Sequence, residues 1–158
     1  MQVRWLIRKD IEKLMVKFPN VDEERWDYFV ECLGQRNIIG MVLEWRGYLY
    51  GFVIYELQKD RIELIDIVAE EKDFVAILVD TIKSKLGNIE SRRKIITLEI
   101  SEYDVSSQLL FQELEFRCVT IKKDYYIFEY SKDANIALDD LGDKELEKLA
   151  TKAKKTPR

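Results

Sequence analysis

Residues 61–101 carry the pattern that most narrows what this chain can fold into. Arg61 to Val68 reads RIELIDIV, a run in which apolar and polar side chains alternate as on a half-buried strand. Strict alternation puts Ile62, Leu64, Asp66 and Val68 on one face and Glu63, Ile65 and Ile67 on the other. From Asp73 to Leu86 the spacing changes to a helical one, with Phe74, Ile77, Leu78, Thr81, Ile82 and Leu86 in register and Gly87-Asn88 as the stop. Lys94 to Ser101 returns to strand. A strand, a helix and a second strand in that order predict a crossover that lays the two strands side by side and parallel in one sheet.

The flanking segments build outward from this unit. Val3 to Ile7 is a short strand, and Asp10 is placed to cap a helix running to about Phe18, where Phe18-Pro19-Asn20 ends it. A second helix starts near Asp22, with Trp26, Phe29, Val30 and Leu33 forming one apolar stripe. Ile38 to Trp45 and Tyr48 to Leu57 form a hairpin turning at Arg46-Gly47. Val105 to Leu114 is a helix, and Phe116 to Ile121 with Tyr125 to Tyr130 is a closing hairpin. The expected class is α/β (α+β): a mixed, mostly antiparallel sheet flanked by helices, with one central parallel pair. Residues 1–130 form this domain. Residues 131–158 lack aromatic side chains, include Asp139, Asp140 and Asp143, and end in a basic stretch. They are expected to be a charged appendage with one short helix from Asp143 to about Ala153. It is read as a solvated tail, with a basic arm for RNA or ribosome contact as the alternative.

Composition removes several classes of chemistry. The 158 residues include no histidine, which excludes a Ser-His-Asp or Cys-His system and any His-ligated metal. Proton transfer falls to a carboxylate, a lysine or a tyrosine. No metal site is expected. Cys32 and Cys118 stand far apart and read as two reduced thiols. With 26 basic and 30 acidic residues the net charge is −4, which favours neither nucleic acid nor membrane as a partner. Lys83, Lys85, Arg92, Arg93 and Lys94 form a basic group without interleaved aromatic residues, so nucleic-acid binding is not expected. The start of the chain is too charged for a signal peptide, no apolar run reaches membrane-spanning length, and a cytoplasmic location is expected.

Three stretches resemble one family. IRKDIEKLM, GYLYGFVIYELQKDRIELIDIVAEE and KIITLEISEYDVSSQLLFQELEFRCV are similar to the opening, the central strands and the later strand-helix-strand segment of the GNAT acyltransferase superfamily, above all its RimI-type protein N-acetyltransferases. The resemblance covers residues 3 to 130. It implies transfer of an acetyl group from acetyl-CoA to a protein N-terminus or a small amine. It also implies splayed fourth and fifth strands, with the pantetheine arm lying along the backbone of Ile67, Val68 and Ala69, and Asp104 where an asparagine often touches the cofactor. Glu99 falls at the position of the proposed base. The acid tyrosine's position is held by Phe111, which has no hydroxyl, and the glycine of LGF is Glu115. The phosphate-binding loop is degenerate: no glycine occurs between Gly51 and Gly87, and Glu70, Glu71 and Asp73 bring negative charge there. Two hypotheses therefore stand. One is an acetyl-CoA-dependent N-acetyltransferase with Glu99 as base. The other is a catalytically silent protein of this fold that has no cofactor and holds a protein partner.

Overall fold

The computed structural model describes residues 1–87 and 92–132. The order is β1 (Gln2–Trp5), α1 (Arg8–Lys17), α2 (Glu23–Leu33), β2 (Ile38–Trp45), β3 (Tyr48–Leu57), β4 (Arg61–Ala69), α3 (Lys72–Lys83), β5 (Ile95–Ser101), α4 (Val105–Glu113), β6 (Arg117–Ile121) and β7 (Tyr125–Ser131). The strands form one sheet ordered β1-β2-β3-β4-β5-β7-β6, antiparallel throughout except for the β4–β5 pair. The expected crossover and mixed sheet are present. The appendage lies outside the described residues apart from Ser131 and Lys132.

Two cores lie on opposite faces of the sheet because β2 and β3 alternate between them. Met41, Leu43, Val53 and Tyr55 pack with Leu78, Val79 and Ile82 of α3 and Phe111 of α4. Val42, Phe52 and Ile54 pack with Leu14 of α1 and with Trp26, Phe29 and Cys32 of α2. On β5 the alternation continues, but its apolar residues serve only one of the two cores. Ile96, Leu98 and Ile100 join the α3/α4 core, whereas no residue of β5, β6 or β7 belongs to the core under α1 and α2. Among the described residues no helix packs on that second face, which carries Thr97 and Glu99.

Local chemistry fixes the element ends. At the β2–β3 turn both Arg46 (φ 50°) and Gly47 (φ 80°) are left-handed, the conformation a two-residue hairpin requires. Glu115 (φ 73°) follows α4 in the same conformation, and the Phe116 N–H reaches back to the Phe111 carbonyl at 2.9 Å. It occupies the left-handed position that glycine usually takes after a helix. Asp10 does not cap α1 from outside. Ile7 holds the cap position, and Asp10, in the first turn, accepts its N–H at 2.8 Å. The helix starts earlier than expected because Arg4 of β1 draws the Asp10 carboxylate back over the helix start.

The strict alternation expected along β4 fails at one residue. Tyr55 pairs with Leu64 and Ile54 with Asp66, so Ile65 is an extra residue, a β-bulge. Ile62, Leu64 and Ile67 pack in the α3/α4 core, while Ile65 and Val68 pack against the other. Asp66 turns to the α2 side, where Arg25 meets it. The bulge shifts the pattern by one position, which no count of alternating residues reveals.

Candidate functional site

The parallel pairing of β4 and β5 is short. Arg61 to Leu64 pair with Ile95 to Leu98, and beyond them the strands pair only with their outer neighbours, β3 and β7. The bulge at Ile65 lies where the pairing stops, and a bulge bends the strand that carries it. A cleft of about 230 Å³ opens there, lined by Leu64–Ile67, Leu98–Ser101, Arg25, Asp104, Ser107 and Phe111.

Glu99 is exposed and borders both this cleft and a smaller hollow of about 120 Å³ lined by Arg61, Glu63 and Thr97. Among the described residues no hydrogen bond or ion pair holds its carboxylate, so it can accept a proton or a donor from outside. Phe111 is buried, 3% exposed, with its ring 5.2 Å from Phe116; it supplies an apolar wall and no proton. Tyr126 packs against the α3/α4 core and Tyr125 is half-buried on the opposite face, both as strand residues.

The cofactor-binding residues expected from the resemblance divide. Ile67 lines the cleft, and its N–H is taken by the Asp66 carboxylate at 2.8 Å. Val68 packs into the α1/α2 core, and Ala69 is pressed against Gly51, where an added Cβ would come within 2.7 Å of the Ala69 Cβ. Asp104 lines the cleft but also caps α4, accepting the Ser107 N–H at 3.1 Å and its hydroxyl at 2.6 Å. The Arg25–Asp66 ion pair at 2.5 Å is a part of the cleft that sequence reasoning missed. A lone aspartate in an apolar strand was its only signal, and its partner lies 41 residues away.

The start of α3, where the resemblance would place a cofactor's phosphates, presents a different surface. Glu70 is paired with Lys17 and accepts the Tyr48 hydroxyl at 2.8 Å, while the Lys17 ammonium stands 3.5 Å from the Tyr48 ring centre. Glu71 occupies the N-cap position without a side-chain hydrogen bond to the helix, and Asp73 sits in the first turn, so negative charge lies beside amides that would otherwise attract an anion. Phe74 packs on Tyr50 with ring centres 5.0 Å apart, filling the space beside the turn. Beyond Leu64 and Leu98 the facing strand edges have no partner in the sheet, but the Ile67 N–H is already held by Asp66 and the charges at α3 do not suit a phosphate. Among the described residues no group of acidic or cysteine side chains is placed to hold a metal, and no helix is long and apolar enough to cross a membrane.

No protein-family model matches the sequence, and no curated protein does either. Solved structures match along most of the chain. The ribosomal-protein-S18-alanine N-acetyltransferase of Escherichia coli is 15% identical with a TM-score of 0.67, over 82% of this chain and 92% of that one. NAA60 of Arabidopsis thaliana, in complex with acetyl-CoA, is 15% identical with a TM-score of 0.64, over 84% and 98%. The N-acetyltransferase PseH of Campylobacter jejuni is 16% identical with a TM-score of 0.62, over 83% and 97%. At these identities the likeness is one of fold, and the fold is that of the GNAT N-acetyltransferases.

Proposed function

We propose that the chain is a RimI-like N-acetyltransferase in which the β4/β5 cleft receives a protein N-terminus or a small amine and Glu99 takes its proton, acting in the cytoplasm. The observation that carries this is the placement of Glu99: exposed, unpaired among the described residues, and lining the cleft where β4 and β5 cease to pair. An ammonium group must lose a proton before its nitrogen can attack a carbonyl carbon, and a carboxylate within hydrogen-bond reach does this directly or through one water. Acetyl-CoA, when bound, supplies the acetyl thioester. Along its arm this chain offers the β4 backbone from Ile67 to Ala69, with Asp104 beside it at the head of α4.

The opposite reading has its own support. The start of α3 sets Glu70, Glu71 and Asp73 where phosphates would lie, and Phe111 has no proton to give a leaving thiolate. Both features fit a silent member of the fold that uses the cleft to hold a protein partner.

A calorimetric titration with acetyl-CoA, followed by an acetylation assay on basic peptides and simple amines, decides between them. Loss of the charge-assisted phosphate contacts is expected to leave a dissociation constant of about 1 mM or weaker. Slow turnover that falls about 10²–10⁴-fold in Glu99→Gln would establish the enzyme. An absence of heat and of product at millimolar acetyl-CoA would establish the silent protein.

A further inference from the structure

A second cavity, of about 540 Å³, lies away from the cleft, where β1 runs into α1 and α2 runs toward β2. Much of its wall is apolar, formed by Trp5, Leu6, Ile11, Val30, Leu33 and Ile39, with Gln35 and two arginines beside them. Gly40 makes its floor compact, since an added Cβ would come within 3.0 Å of both Leu6 and Leu33. The volume falls within the ~300–1,000 Å³ usual for small-molecule sites. Three of its wall residues, Trp5, Val30 and Ile11, keep apolar surface in reach of solvent, with Trp5 66% and Val30 45% exposed.

The charges around it are one-sided. Arg8 and Arg36 line the cavity, and among the described residues no acidic one does. Neither arginine has an ion pair or hydrogen bond among the described residues. Arg4, Arg25 and Arg61, by contrast, are each paired with a carboxylate. Arg8 and Arg36 therefore set two guanidinium groups, unpaired among the described residues, beside one largely apolar hollow.

We propose that this cavity binds a small amphiphile, an apolar chain ending in a carboxylate, with the tail between α1 and α2 and the carboxylate at Arg8 and Arg36. The apolar walls gain by covering a hydrocarbon tail, and guanidinium forks match the two oxygens of a carboxylate. The site is independent of what the β4/β5 cleft does.

Calorimetric titration with octanoate, with octan-1-ol as a tail-matched neutral control, tests it. One octanoate per chain is expected, with a dissociation constant on the order of 100 µM and an affinity at least about tenfold above that of octan-1-ol. Arg8→Gln combined with Arg36→Gln should erase the difference between the two ligands. Val30→Asp, which places a negative charge on the wall, should weaken octanoate about tenfold or more. All these positions are exposed, so melting temperatures without ligand should stay close to that of the unaltered chain. Equal affinity for the two ligands, or octanoate binding unchanged in these variants, overturns the proposal. So does sedimentation showing a dimer that buries Trp5 and is indifferent to octanoate, which would make the hollow an interface between copies.

Discussion

Asp10 is 2% exposed, yet it carries a charge that three donors hold in place: the Arg4 guanidinium at 2.8 and 2.9 Å and the Ile7 N–H at 2.8 Å. The bonds to Arg4 are the largest reason that its carboxyl titrates below the usual aspartate range, against the opposing effect of burial. A carboxyl whose folded pKa is depressed stabilises the fold above its unfolded pKa, near 3.8, and loses that contribution as pH falls through the folded value. Asp10→Asn is therefore expected to cost about 3 kcal/mol at pH 7, the low end for breaking a buried pair because Arg4 keeps Glu44 as a second partner. Urea unfolding at neutral pH and below pH 4 checks this: the variant should lose less stability than the unaltered chain over that interval. Part of this was legible in the sequence, where an aspartate beside an apolar start marks a helix end. Arg4 as its partner was not, because the pair exists only once β1 and α1 meet at a fixed angle. Glu99 was legible in the same partial way. Its strand and register could be read, but that no lysine among the described residues holds it is a tertiary fact. The basic group from Lys83 to Lys94 shows the reverse case. Lys83 turns inward to the Leu114 carbonyl at 2.6 Å, and burial pushes its pKa down.

β4 shows why an element can be right in extent and wrong in phase. Its ends match the sequence reading to within one residue, because turn signals and apolar content set them. Its faces did not, because Ile65 is apolar and fits either face, so the sequence contains no mark of the bulge. Removing Ile65 leaves an uninterrupted alternation, with Leu64 and Ile67 on one side and Asp66 and Val68 on the other. A variant lacking Ile65 is thus expected to fold, losing about 1 kcal/mol for one half-buried side chain. The ladder between β4 and β5 should lengthen and the cleft should narrow. Cross-strand nuclear Overhauser contacts between residues 66–68 and 99–101, absent in the unaltered chain and present in the variant, would show it. Any ligand of the cleft should then bind more weakly. A variant that keeps the gap would remove the bulge as its cause.

On the scale of the whole molecule, the short parallel ladder is a seam. Strands β1–β4 on one side and β5, β7 and β6 on the other meet through four residues of each central strand, helped by the α3/α4 core that spans both. Every other neighbouring pair in the interior of the sheet is antiparallel, and the pairs flanking the seam run for seven positions each. Cooperativity in a protein follows such unequal joints: contiguous units open together, and the weakest junction opens first. Native-state hydrogen exchange should accordingly resolve two groups of amides, one in β2 and β3 protected to the level of global unfolding, the other in β5 and β7 released by a smaller opening. A single free energy for both groups would show that the shared core binds the halves into one unit. If two are found, the gap that gives this fold its cleft is also its line of cleavage, and a molecule lodged between β4 and β5 would act on the protein as a rivet across it.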